Sequence, residues 1–247
     1  MKFIHTLILA ALLLFQSCSC GSNDKSALRI GIDPNWYPIN FGPQESYVNG
    51  YVEDLLLEIA SYSGIQFERI PANWDSLLDG IREKKYDAVI SALPPYEFNK
   101  AKYEFSDNIL DLGPVLIVPV NAQHTDLSKM GGELVGLVNG DPAVLLVQKY
   151  GDIVIRNYDS IPELLDALSI GEIEAALLNR VPAVTYISDL YADRLKVASA
   201  PLNDAGLHLV AAKGRNPHLV SLFNKSIERL HKKKKMDALL KKWQLTP

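Results

Sequence analysis

The chain has 247 residues, of which 48% are hydrophobic and 22% charged, with a formal charge of −4 and a pI near 5.8. That is enough apolar material for the packed core of one or two globular domains, and it excludes an extended, disordered chain. Lys and Arg are scattered until the last helix, so a nucleic-acid backbone has no electrostatic footprint to meet and nucleic acid is excluded as a partner.

The first residues place Lys2 ahead of an apolar run from Thr6 to Phe15, followed by small polar residues and cysteines, which is the layout of a secretion signal over residues 1–20. The run is about ten residues long, half of the roughly 20 that a membrane-spanning helix needs. Cys18 and Cys20 are the only cysteines, so the folded part holds no disulfide. Their position resembles a bacterial lipoprotein signal, in which a cysteine just after the apolar run is lipidated. The resemblance implies a palmitate-bearing membrane anchor at Cys18 and a domain that works outside the cytoplasm; a plain cleaved signal is the alternative. Residues 21–26 form a polar tether.

Beyond the tether, strands and helices alternate. Leu28 to Asp33 is a β run, and Val52, Leu55, Leu56 and Ile59 recur at helical spacing until Gly64. A strand follows at Phe67–Ile70, then a helix carrying Trp74, Leu77, Leu78 and Ile81 on one face, then a strand at Asp87–Ser91. Strands joined by such helices pair in parallel, giving an α/β fold.

The helix–strand unit from Trp74 to Ser91 recurs between Tyr158 and Asn179: an aromatic residue, Asp, Ser, a helix, a charged turn, a strand. Ser160 with Glu163 has the spacing of a capping box, echoed by Ser76 and Asp79. Two copies of one unit predict two Rossmann-like lobes joined by two crossing segments. Lobe 1 is expected over 27–115 and 205–247, and lobe 2 over 116–204. Lobe 2 holds a strand at Leu134–Val138 and a helix from Pro142 to Tyr150, and Gly206–Lys213 returns to lobe 1. One sheet holding both units is the alternative.

In open parallel sheets ligands bind beyond the carboxyl ends of the strands. The loops in question are DPNWYP after the first strand, SALPPYEFN after the third, NGDPA in the second lobe and NRVP after its repeated strand. They nominate Asp33, Trp36, Ser91, Ala92, Pro94, Asn99, Asp141 and Asn179, with Trp74 heading the adjacent helix. Each has a purely structural role available: Asp33 opens a turn, Trp74 faces a core, and Asp141 before Pro142 caps a helix. Catalytic constellations are missing. The sequence offers no nucleophile elbow, no phosphate loop and no histidine pair at metal-ligand spacing, since His124, His208, His218 and His231 are dispersed. No catalytic residue, cofactor or metal is predicted. The Lys232–Lys235 run is expected to be a solvated helix end.

Taken in order, LRIGIDPNWYPINF, the long stretch from Asn49 to Ser91, FSD at Phe105–Asp107, GELVGLVNGDPA and the YDS helix–strand unit resemble the amino-acid-type (family 3) extracellular solute-binding proteins of ABC importers. The resemblance implies the type II periplasmic-binding fold, a small-molecule solute in an interlobe cleft, hinge closure, transporter membrane subunits as partners, and a monomer. It also implies a sandwich of the ligand between Trp36 and Trp74, and polar contacts from Ser91, Ala92 and Pro94. The family arginine that grips a ligand carboxylate falls on Asn99, and the aspartate that holds its ammonium falls on Asn179. With both anchors replaced by amides, Asp33 is the expected partner for a cationic or N–H-rich ligand. A solute-sensing protein and a cyclohexadienyl-dehydratase-like enzyme on the same scaffold are the rival functions.

Overall fold

The computed structural model describes residues 27–36, 39, 41–123 and 126–246; the predicted signal, Cys18 and His124 lie outside them. Strands β1 (Leu28–Ile32), β2 (Phe67–Pro71) and β3 (Ala88–Ser91) are parallel, with Leu28 opposite Phe67 and Ile30 opposite Ala88. Helix α1 (Glu45–Ser63) connects the first two and α2 (Trp74–Arg82) the second pair. Gly64 ends α1 in the left-handed conformation (φ 68°), where its amide reaches the Ala60 carbonyl.

After α3 (Glu97–Lys100), β4 (Tyr103–Phe105) and β5 (Leu110–Asp111), the chain enters a second sheet at β6 (Pro114–Pro119). That sheet also contains β7 (Leu134–Val138), β8 (Val154–Tyr158), β9 (Ala175–Asn179) and β10 (Leu195–Val197), in the order β10-β6-β9-β7-β8. Helices α4 (Val144–Val147), α5 (Ile161–Ser169) and α6 (Arg180–Tyr186) belong to it. Strand β11 (Gly206–Ala212) then returns to the first sheet, antiparallel to β3, giving the order β2-β1-β3-β11-β4 with β5 on β11. Helices α7 (Pro217–Lys232) and α8 (Lys235–Lys242) close the chain; α7 packs on α1 and β11, and α8 on α1.

The two helix–strand units do lie one in each sheet, but their helices start differently. Ser160 Oγ accepts from the Glu163 amide, and Glu163 reaches back to the amide of Asp159. In the first copy the cap is Asn73, whose Oδ1 accepts from the Ser76 amide, so Ser76 already lies inside the helix. The expected helix over 142–150 shrinks to α4, because Leu145 and Tyr150 are exposed and only Val147 of the four helical residues is buried.

Each sheet is buried on both faces. Apolar residues of α1 and α7, such as Leu55, Ile59, Phe223 and Ile227, cover one face of the first sheet, and Leu77 and Ile81 of α2 cover the other. Two further clusters sandwich the second sheet. At about 25 cal/mol per Å² of apolar area, this burial is the main favourable term in folding. The lobes are joined by two antiparallel segments, Leu112–Pro114 and Leu202–Ala205. The amides of Leu112 and Gly113 donate to the Ala205 carbonyl, and the Leu202 amide donates to Pro114.

Candidate functional site

The carboxyl ends of β1 and β3 in one sheet and of β7 and β9 in the other face a common cavity of about 380 Å³. Lobe 1 supplies Ile39, Phe41 and Tyr96. Lobe 2 supplies Asp141, Pro142, Leu145 and Leu146 after β7, and Asn179, Val181 and Pro182 after β9. The floor is the crossing pair itself, with Leu112, Pro114, Asn203 and Ala205. Val181 also packs into the core of lobe 1, so the start of α6 ties the two lobes together beside the cavity. A larger groove of about 710 Å³ runs between β4 and α7, but it is confined to the outer edge of lobe 1.

The wall is mostly apolar. Among the described lining residues Asp141 is the one carboxylate, and no Lys, Arg or His is present. Asp141 Oδ1 accepts from the Ala143 amide at 2.8 Å, which fixes the turn into α4. Asn179 is exposed at the start of α6, and its side chain caps nothing there.

Of the residues nominated by the sequence, Asp141 and Asn179 line this cavity. The others build the loops around it. Asp33 is buried; its Oδ1 accepts from the Asn35 amide (3.0 Å) and its carbonyl from the Trp36 amide (3.1 Å). Ser91 is buried too, and its Oγ takes the Leu93 amide at 3.1 Å. Ala92 packs on the main core of lobe 1, and Trp74 sits half-buried against the Leu77–Leu93 cluster. Asn99, 9% exposed, donates from Nδ2 to the Pro94 carbonyl at 2.8 Å. Its amide is spent on the β3 loop.

Trp36 departs furthest from expectation. It adopts φ 58°, a left-handed conformation that costs a non-glycine residue about 1–2 kcal/mol, and its ring is only 3% exposed, inside the core of lobe 1. Nε1 donates to Asn49 Oδ1 (3.1 Å), and Asn49 Nδ2 donates to the Pro34 carbonyl (3.1 Å). The indole therefore clips the first loop onto α1, and it does not form a face of the cavity. The aromatic residues that do reach it are Phe41 and Tyr96, with Tyr96 59% exposed. Tyr96 was findable, as an aromatic in the loop after β3. Phe41 and the apolar pair Leu145 and Leu146 carried no signal that separates lining from core.

One further group near the hinge has an unusual setting. His208 on β11 is buried; Nδ1 lies 3.0 Å from the Ser106 carbonyl, and Nε2 has no partner among the described residues. Desolvation holds its pKa below the ordinary histidine value, against the opposing pull of Ser106 and Asp107.

Two α/β lobes, each meeting the cleft with its strand ends and joined by a two-stranded hinge, define a two-lobed solute-binding protein with the type II periplasmic-binding fold. The chain belongs to the bacterial extracellular solute-binding proteins, family 3, whose family model matches residues 28–246. It is similar to the L-cystine-binding protein TcyJ of Escherichia coli K12, with 24% identity over 89% of this chain and 83% of that protein. The arginine-binding extracellular protein ArtP of Bacillus subtilis is 22% identical over 98% of each chain. Among solved structures, the L-cystine solute receptor of Neisseria gonorrhoeae in its unliganded open conformation superposes with a TM-score of 0.71 at 16% identity, over 88% of this chain and 92% of that one. The second substrate-binding domain of a putative amino acid ABC transporter from Streptococcus pneumoniae gives 0.69 at 20% identity, over 88% and 99%.

Proposed function

We infer that this solute-binding protein captures an amino-acid-like compound in the interlobe cavity and hands it to the membrane subunits of an ABC importer, as a monomer tethered to the envelope by a lipid on Cys18. The observation that carries this reading is the cavity itself, to which both lobes and the hinge contribute wall. Only a ligand touching both lobes gains more from the closed than the open form, and that difference drives closure. Relatives named for cystine, arginine and histidine point to an amino-acid-like solute.

The wall qualifies that class. A free amino acid presents a carboxylate and an ammonium, and each buried charge-assisted hydrogen bond contributes about 1.5–3 kcal/mol. The described wall offers the carboxylate no cation, and Asn99 is already engaged. The expected solute has an apolar body and an amine or N–H-rich head near Asp141 and Asn179, with its carboxylate absent or masked.

Thermal-shift screening of the purified protein tests this with each proteinogenic amino acid beside its decarboxylated amine and its amide. At a hundredfold excess over Kd the right class stabilises by about 2.7 kcal/mol, or roughly 5–10 °C. A free amino acid that outperforms its own amine and amide overturns the solute class. Silence from all three sets, with no small molecule in the mass spectrum of the native protein, overturns the transport reading. Turnover of prephenate or arogenate would instead support the enzyme. The anchor is tested separately: radiolabelled palmitate should enter the wild type and the Cys20→Ser protein, and not Cys18→Ser.

A further inference from the structure

We propose that the end of lobe 1 opposite the cavity is a docking face for an anionic phospholipid bilayer. At this end β1, β2, β3 and β4 begin and β11 finishes. The segments that meet there or adjoin it are 82–87, 100–102, 213–216 and 229–235. These twenty residues hold 12 of the 25 Lys and Arg of the chain and 2 of its 29 Asp and Glu, although the whole chain carries −4. Helix-end cations explain the last of the four segments. Arg82, Lys84 and Lys85 at the end of α2 and Lys100 at the end of α3 have the same local explanation, whereas Lys213 and Arg215, ahead of α7, do not. What is unexplained is that these ends gather on one side of lobe 1.

The segments are brought together by contacts. The Arg29 guanidinium donates to the Lys84 carbonyl at 3.1 Å and lies 3.4 Å from Asp87. Arg215 donates to the Ile81 carbonyl, and Lys213 Nζ to that of Lys100 at 3.0 Å. On the other side, Tyr62 at the end of α1 collects Arg229 (4.6 Å from the ring centre), Lys233 (5.0 Å) and Lys235 (5.8 Å).

Carboxylates on the flanking helices neutralise part of this charge: Asp79 holds Arg82, Glu97 holds Lys100, Glu228 holds Lys232, and Glu58 holds Lys235. Glu83 likewise pairs with Lys85. The ammonium groups of Lys84, Lys102, Lys233 and Lys234 meet no carboxylate among the described residues, and all four side chains are exposed.

The occupant follows from charge and from where the chain enters the fold. The Leu28 amide bonds the Gln66 carbonyl, four residues after Tyr62, and Arg29 is the residue bound to the 82–87 turn. The N-terminal segment therefore joins the domain between the two basic groups. Cys18 is ten residues before Leu28, a reach of at most roughly 35 Å. A lipid there keeps this face within reach of the bilayer, and lysines close to an anionic surface add about 1 kcal/mol each.

Both sheets and all four core clusters lie within residues 28–245, so a chain starting at Ser26 keeps every described contact and isolates the face from the anchor. Flotation of that chain with phosphatidylglycerol-containing vesicles should show binding, and vesicles of phosphatidylcholine alone should show none. Raising the salt from 0.1 M to 1 M shortens the screening length from about 10 to about 3 Å and should release the protein. The triple variant Lys84→Glu, Lys102→Glu, Lys234→Glu should lose on the order of a hundredfold in affinity, at about fivefold per lysine, while Lys129→Glu with Lys149→Glu on lobe 2 should lose nothing. Binding to neither vesicle, equal binding to both, or a triple variant that floats like wild type overturns the proposal. Solute binding by the triple variant is expected to be unchanged, so failure here leaves the cavity reading intact.

Discussion

Asn99 Nδ2 donates to the carbonyl oxygen of Pro94 over 2.8 Å, closing the five-residue loop between β3 and α3 with a side chain that is 9% exposed. The bond serves the loop, not a ligand carboxylate. Asn99→Ala removes this donor and leaves the half-buried Pro94 carbonyl with the Tyr96 amide as its remaining partner. A cost of about 0.5–1.5 kcal/mol is expected, measured by urea unfolding. Solute affinity should fall with it, because Tyr96 hangs on the same loop. If the variant unfolds like wild type, the loop is held by something else.

Trp36 and Asn49 make the corresponding clip on the first loop, Nε1 to Oδ1 at 3.1 Å. Trp36→Ala should cost about 3–5 kcal/mol, in line with deletion of a fully packed aromatic. Trp36→Phe keeps most of the volume and loses the indole donor. It should unfold about 1–3 kcal/mol earlier yet bind the solute within a fewfold of wild type, read by calorimetric titration. A large affinity loss with unchanged stability would return this ring to the ligand.

The contrast between these two residues marks how far the sequence carried. Strand–helix alternation located the parallel strands, because burial on both faces forces near-continuous apolar runs such as AVIS and AALLN. The repeated unit assigned one copy to each sheet. Spacing could not locate the true cap of α2, since Asn73, Ser76 and Asp75 are all competent and only tertiary placement chose Asn73. Strand ends nominated Asp141 and Asn179, and both line the cavity. A loop aromatic was overread: Trp36 is held inward by Asn49, thirteen residues on, a partner no local pattern announces. The apolar lining, Leu145 and Val181 included, looks like core in a sequence because the same side chains serve both purposes.

His208 makes the protein less stable in acid. Its pKa is held down by burial, so the neutral ring is the form the fold accepts, with the Nδ1 proton on the Ser106 carbonyl and Nε2 bare. For a depressed base the contribution is fully present above the ordinary histidine value of about 6.5. It is lost as pH falls from there towards the lowered folded value. Melting temperature should fall between pH 7.5 and 5, and His208→Gln should flatten that slope while lowering stability at pH 7.5. An unaltered slope would assign the acid sensitivity to other groups.

Gly113 sits where the two crossing segments touch. Its amide donates to Ala205, and its carbonyl accepts from Arg180 at the start of α6. A Cβ there would lie 2.4 Å from Asn203 Oδ1 and 2.8 Å from the Asn203 carbonyl oxygen. The side-chain oxygen could turn aside, but the carbonyl is backbone, hydrogen-bonded segments flank it, and real Cβ contacts are not that short. Gly113→Ala must therefore spread the pair. An overpacking cost of about 1–3 kcal/mol is expected. Spreading the hinge also moves Leu112, Pro114 and Asn203, the cavity floor, so affinity should drop more than stability alone explains. Small-angle scattering with and without solute separates the two effects: the variant should compact less on adding ligand than wild type does. Equal compaction with equal affinity would mean that closure pivots elsewhere than on the Gly113–Asn203 contact.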